Sequence, residues 1–375
     1  MKRLLDHDCL RALARGCAVL GAGGGGDPGL GLLQALQASG DFGPVSLIDV
    51  DELPGDALIM PCGGIGAPTV SIEKLENGDE GNRLRDHLES VTGQKVAALM
   101  AVEIGGGNGL LPVAWAARLG LPLVDADGMG RAFPEVPQVT MYLAGISPSP
   151  AVMTDERGNV LVVRAVSGHW MERLERAAAV EFGGAAAATE FSLTAAQARE
   201  ATVRNSVSMA ITIGEAIESS EDRPVAALIA KIGAFSLIVG KVTDVERRTT
   251  QGFARGSVVV EGLGADAGRR VRLEVQNENL VALEQGQVLA SVPDLISVLD
   301  SETADAIATE RISYGQRVTV IAFGCDPVWR TERGIALTGP RAFGYDFDYV
   351  PVEELAGAAT WPPSSLSGGR GDEAG

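Results

Sequence analysis

VDADGMGRAFPE, residues 124–135, follows the apolar run 119–124 and crowds two aspartates, two glycines, an arginine and a glutamate into one short loop. An apolar run that ends this way reads as a buried strand of an α/β sheet, and ligands of that fold class sit where such strands end. Three other glycine-rich segments share the character: GAGGGGDPGLG at 21–31, PCGGIGAPT at 61–69 and EIGGGN at 103–108. The expectation is that all four converge on one site, with Asp125 and Asp127 at its floor.

Outward from that loop, elements alternate as in an α/β domain. Apolar residues recur with a helical period over 4–20, and Asp27-Pro28 reads as an N-cap followed by proline in the first turn of a helix to about residue 38. Residues 45–50, 57–60 and 96–102 read as strands. The last is nearly continuous in apolar residues, as a parallel strand covered on both faces should be. Helices are expected at 111–119, from 168 into 180, and as one long element over 195–217. After Pro224 short strands at 237–246, 257–261, 271–275, 288–292, 295–299 and 317–322 alternate with turn residues. The fold class is thus an α/β N-terminal domain with a largely parallel sheet (1–165), followed by a β-rich, α+β C-terminal domain (166–360). The polar tail 361–375 reads as disordered.

Composition excludes several classes. The formal charge of -18 opposes nucleic-acid and anionic-membrane partners, which need a positive face. The 48 glycines cluster in loops and form no repeat. No apolar run has the length of a membrane span, and Asp6, His7 and Asp8 interrupt any signal-like core, so a cytoplasmic protein is expected. With three histidines (His7, His87, His169) and no CxxC spacing among four cysteines, a His- or Cys-built metal centre is improbable.

The candidate chemistry is carboxylate chemistry. Glu103 ends an apolar strand beside the neutral donor Asn108, the position of a general base whose pKa an apolar wall raises. Asp125 and Asp127, two residues apart, share one face of an extended chain; they would share a proton or, with Glu103, hold a divalent metal ion. Asx-turn residues ending a strand are the structural alternative. Gly24, Gly25 and Asp27 would present backbone N–H groups to an anion ahead of a helix, or form only a turn between two helices. Gly66 would let a ligand approach the backbone, and Cys62 beside it reads as a buried, inert thiol or a nucleophile. His169 is an acid/base candidate as well as a structural residue. Arg131 would orient the aspartates, and Arg341, within GPRAFGYDFDYVP at 339–351, would bind a substrate carboxylate or pack the two domains together.

GAGGGGDP, GAPTVSIEKL, EIGGGN, VDADGMGRAFPE and GPRAFGYDFDYVP, in this order, resemble the S-methyl-thiohydantoin desulfurase-like family, long catalogued only as a domain of unknown function. The resemblance runs to about residue 355. It implies the same two-domain organisation and an activity: hydrolytic removal of the methylthio group from an S-methyl-thiohydantoin, giving a hydantoin and methanethiol. It also implies an association with hydantoinase and oxoprolinase proteins.

That chemistry needs an activated water, stabilisation of the tetrahedral intermediate and a proton for the leaving group. Glu103 or Asp127 would activate the water, directly or through a metal, while Asn108 and an arginine would hold a ring carbonyl or a propionate tail. The competing expectations are a ring-opening amidohydrolase and a non-catalytic subunit that docks onto a hydantoinase-like protein. A homo-oligomer is also allowed.

Overall fold

The computed structural model describes residues 3–66, 70, 73–250 and 253–358. The tail expected to be disordered and residues 67–69 of the second glycine segment lie outside them. A ten-stranded mixed sheet carries the N-terminal half. Its strands are β1 (Arg3–Leu5), β2 (Val45–Ile48), β3 (Leu58–Gly66), β4 (Val96–Ala101), β5 (Leu123–Asp127), β6 (Ala151–Thr154), β7 (Val160–Val163), β8 (Ala185–Thr189), β9 (Leu193–Thr194) and β10 (Val203–Arg204). Interleaved are α1 (His7–Leu20), α2 (Pro28–Phe42), α3 (Glu80–Thr92), α4 (Leu111–Leu119), the single turn α5 (Thr140–Leu143), α6 (Gly168–Glu181), α7 (Ala195–Ala201) and α8 (Ser206–Glu218).

β2, β5, β4 and β3 lie side by side in parallel register. Because side chains alternate along a strand, Leu99 and Leu123 enter a core with α1, α4 and α8, while Ala98, Met100, Val124 and Ala126 enter a second core on the other face. Both faces are therefore buried, which is why 96–102 shows no polar alternation. Capping fixes the helix starts. The Asp6 carboxylate accepts the Cys9 N–H at 2.9 Å ahead of α1, and Asp27 accepts the Gly29 N–H at 2.8 Å ahead of α2.

Two local expectations are corrected. Residues 61–66 are not a loop: β3 runs on through Gly66, and Gly63–Gly66 pairs antiparallel with β8, Gly63 opposite Ala188 and Gly66 opposite Ala185. A strand pair of glycine facing alanine has almost no side chain above it, which leaves open space over the sheet. The long helix expected over 195–217 is broken between α7 and α8. Thr202 and Val203 are β-branched and take extended conformations, β10 pairs with Ala126 and Asp127, and Asn205 supplies a left-handed turn at φ 62°.

The β-rich half is a seven-stranded antiparallel sheet curled into a half-barrel, in the order β15-β14-β13-β12-β11-β17-β16. Its strands are β11 (Phe235–Thr250), β12 (Phe253–Gly262), β13 (Arg270–Gln276), β14 (Glu278–Glu284), β15 (Gln287–Ser291), β16 (Leu295–Asp300) and β17 (Arg317–Phe323), with α9 (Pro224–Ile232) before them and α10 (Glu332–Thr338) and α11 (Val352–Ala358) after. β14 and α9 were not anticipated. Thr250 pairs with Phe253 across residues 251–252, which lie outside the described residues. The halves share a core: Leu295, Leu299, Ile321 and Phe323 pack with the α1 cluster, and the Ser297 hydroxyl donates to Val19 O at 2.7 Å.

α1 and α8 cross so closely that their backbones touch. A Cβ on Gly16 would lie 1.8 Å from Ala210 O, and one on Gly214 would lie 1.9 Å from Ala12 O. Neither neighbour is a side chain that can turn away. Gly16→Val is therefore expected to cost on the order of 3 kcal/mol. Gly40→Ala on α2, with open space around it, should be neutral or slightly stabilising. Urea midpoints of the two variants check this; equal midpoints would show that the helices can part.

Candidate functional site

The site is organised by Asp127. Its Oδ2 accepts the Ile104 N–H at 2.9 Å, the Met129 N–H at 3.0 Å and the Gly130 N–H at 2.8 Å. It thereby ties the segment after β4 to the turn after β5 and presents Glu103 between them. Fully buried, Asp127 is pushed up to about 7 by desolvation, against the N–H donors of Gly130 and Met129 that favour its ionised form. Both oxygens are consumed by backbone, so Asp127 positions other groups.

Glu103 projects into a cavity. Asn108 fixes it: Oδ1 of Asn108 accepts the Gly64 N–H at 2.7 Å, and Nδ2 donates to Gly64 O at 3.1 Å and to Glu103 Oε1. The Phe133 N–H is a further donor to the same carboxyl. Glu103 Oε2 is buried and has no partner. Desolvation pushes Glu103 up to about 8; the Asn108 hydrogen bond opposes the rise and the Asp127 carboxylate adds to it. At neutral pH the group mostly holds its proton.

Glu278, the first residue of β14, comes from the C-terminal sheet. It is 2% exposed and packs on Gly24, where a Cβ would lie 2.0 Å from Oε1. Any side chain there would displace the carboxyl, so the glycine is a requirement of close approach. Glu278 Oε2 also lacks a partner. Burial and then the neighbouring Glu103 raise its pKa well above the usual carboxylate range, opposed by Arg131. The Glu103 charge acts on Glu278, so the two carboxyls resist ionising together, and a pair of this kind can divide the tasks of acid and base.

Arg131 lies behind them, fully buried. Its Nε donates to Ala132 O at 2.9 Å and its Nη1 to the carbonyls of Pro293 and Asp294, while its guanidinium stacks 4.4 Å from the Phe133 ring centre. Desolvation lowers its pKa to about 10, and Glu278 is the first of the charges that resist this. It bridges the domains and supplies positive potential without reaching the cavity.

The cavity, about 190 Å³, is walled by Gly25, Gly63, Gly64, Gly66 and Gly107, by the alanines of β8, and by Val102, Leu111, Met129 and Phe133. Among the described residues nine acidic side chains line it (Asp27, Glu76, Glu80, Glu103, Glu135, Asp155, Glu156, Glu190 and Glu278) against two basic ones, Lys74 and Arg176.

All four glycine-rich segments thus meet around one space. Gly25, Asp27, Gly66, Glu103 and Asn108 line it. The Gly21–Gly26 turn meets its neighbour through carbonyls: Gly25 O and Gly26 O accept the Asn108 and Gly107 N–H groups, each at 3.1 Å. Gly24 seats Glu278, and the Asp27 carboxylate pairs with Arg311. Asp125 and Asp127 do share a face, but α8 covers it: Asp125 accepts the Ser208 N–H at 2.9 Å and the Ser208 hydroxyl at 2.5 Å. The trio Glu103, Asp125 and Asp127 therefore does not converge, and no group of three or more His, Cys, Asp or Glu among the described residues is placed to hold a metal ion. His169 is exposed, edge-on to Tyr142 at 6.2 Å, and Arg341 is exposed and paired with Asp346 (2.9 Å) and Asp348 (2.8 Å); neither lines the cavity. Cys62 is fully buried, its thiol pushed far up by desolvation and donating to Met100 O at 3.7 Å, the environment of an inert cysteine. Glu190 and Glu278 were missed. A polar stretch, QNEN, introduces Glu278, and an alanine-rich strand, AAAAT, precedes Glu190.

Fold and site define a two-domain α/β plus antiparallel-β protein with a carboxyl-lined cavity completed by both sheets. The chain belongs to the S-Me-THD-like family: the model of its N-terminal domain matches residues 8–165 and that of its C-terminal domain residues 166–352. Among solved structures it is similar to a protein from Chromobacterium violaceum, with 25% identity, a TM-score of 0.76, and coverage of 93% of this chain and 100% of that one. No curated protein matches. Among the described residues no helix is long and apolar enough to cross a membrane.

Proposed function

We propose that the protein hydrolyses an S-methyl-thiohydantoin to the corresponding hydantoin and methanethiol. The observation that carries this reading is the Glu103–Glu278 pair, each with an unpartnered buried oxygen, facing a small cavity. Water adds to the ring carbon that bears sulfur. The C–O bond forms as the ionised member of the pair takes a proton from water. The protonated member gives its proton to the adjacent ring nitrogen, and the carbon–sulfur bond then breaks. Methanethiolate leaves with the second proton of the water, so the ring gains one oxygen and one N–H and loses CH₃SH. Asn108 and the Gly63–Gly64 backbone edge the ring, and the β8 alanines give the methylthio group an apolar wall.

Purified protein incubated with a panel of S-methyl-thiohydantoins and hydantoins should release thiol from the former and open neither ring. Ring opening without thiol release would identify an amidohydrolase instead. No turnover of any member, with ligand-induced thermal stabilisation retained, would identify a non-catalytic subunit. Elemental analysis of the active preparation decides whether a divalent metal takes part.

A further inference from the structure

A second pair of buried carboxyls has no part in the reaction above. Glu190, directly after β8, is 6% exposed and lines the cavity; Glu175, on α6, is fully buried behind it. Neither oxygen of Glu175 has a hydrogen-bond partner, and neither does Glu190 Oε2. Burying a carboxyl without a partner is costly, and a ligand donor is one of the ways in which such a group is completed. Arg176 acts on Glu175 through its charge, yet these oxygens accept no hydrogen bond. Arg176 is held by Glu172 at 2.7 Å and by Pro134 O at 3.2 Å, and Lys74 by Glu156 at 2.8 Å and by the carbonyls of Phe182 and Ala185. A second acid, Glu172, adds further negative potential to Glu190. Burial pushes Glu190 up to about 7, and an ammonium or guanidinium would both favour its ionised form and bring the donors that the orphaned oxygens lack, neither of which an anionic arm does.

We infer that the Glu190 side of the cavity is a cation subsite, and that the ring taken by this cavity carries a protonated amine or guanidinium arm. The inference rests on the proposed function for the ring and not for the arm. It reverses the expectation of a propionate tail held by arginine.

Calorimetric titration at pH 7 of three hydantoins, substituted at the 5 position with 3-aminopropyl, propyl or 2-carboxyethyl groups, tests it, with ringless propylguanidine as a fourth ligand. The aminopropyl compound should bind about 10- to 100-fold more tightly than the propyl compound, as expected for a charge-assisted hydrogen bond, and the carboxyethyl compound most weakly. Glu190→Gln should bring the aminopropyl-to-propyl ratio close to one. Equal affinities across the three arms, tightest binding of the carboxyethyl arm, no binding of any ligand, or a preference unchanged in Glu190→Gln each overturn the inference. Should that variant not fold, the wild-type ratio decides alone. Binding of propylguanidine by a protein that turns over no S-methyl-thiohydantoin would remove the ring assignment and leave the subsite standing.

Discussion

Glu103→Gln is expected to abolish thiol release while becoming more stable relative to the wild type as the pH rises. Glutamine keeps the oxygen that accepts from Asn108, so the local geometry survives, but it can neither take nor give a proton; a loss of about 10²- to 10⁴-fold in kcat follows. The stability effect follows from linkage. In the unfolded chain Glu103 titrates near 4.5, and in the folded protein near 8. A group held this way contributes its full stability below the lower value and loses it as pH climbs to the upper one, because folding must keep a proton that the unfolded chain has released. The total is about 5 kcal/mol at 1.36 kcal/mol per pH unit. Asp127, pushed up to about 7, acts with the same sign but is present in both proteins and cancels in the difference. Denaturant midpoints of both proteins between pH 5 and 9 should therefore diverge in favour of the glutamine variant from pH 5 up to about 8 and run parallel above it. A constant difference would mean that Glu103 is ionised in the native protein, and the raised pKa assigned to it would fall. On the proposed function, a neutral variant that is the more robust one at alkaline pH marks Glu103 as a destabilising group kept for chemistry.

How much of this was legible in the sequence depends on how each residue is presented. Glu103 and Asn108 could be read because a continuous apolar strand pointed straight at them, and such strands follow from burial on both sheet faces. Asp127 was legible as a buried strand-end acid, but its task was not: three backbone N–H groups, one of them on another strand's loop, exist only in the folded chain. Glu278 could not be found by periodicity. It opens β14 immediately after Asn277, which sits in a left-handed conformation at φ 57°, and the polar letters around it read as a loop. Glu190 was hidden because alanine has little strand propensity, although small residues are what the cavity wall requires. His169 and Arg341 show the reverse error. Their chemistry attracted notice, and nothing in their local sequence could reveal that the chain exposes both and that neither lines the cavity.

Arg131→Met should destabilise the protein by about 3–5 kcal/mol at neutral pH, and by more as pH rises. Methionine fills most of the volume over Phe133 but leaves the carbonyls of Ala132, Pro293 and Asp294 without a donor, each a buried acceptor that had one. That part of the loss is independent of pH and falls on the contact between the domains. The remainder depends on charge. Arg131 favours the ionised forms of both Glu278 and Glu103, so its removal lifts their pKa values further and widens the window over which stability drains away with rising pH. The double variant Arg131→Met, Glu103→Gln separates the two parts. Relative to Arg131→Met alone it should regain stability at pH 9 and little at pH 5.5, because only the electrostatic share is relieved by neutralising Glu103. Urea midpoints of the wild type, the two single variants and the double variant at those two pH values give the coupling directly. If the coupling is the same at both, Arg131 acts only as a hydrogen-bonded wedge between the domains, and the charge balance assigned to the site would be wrong.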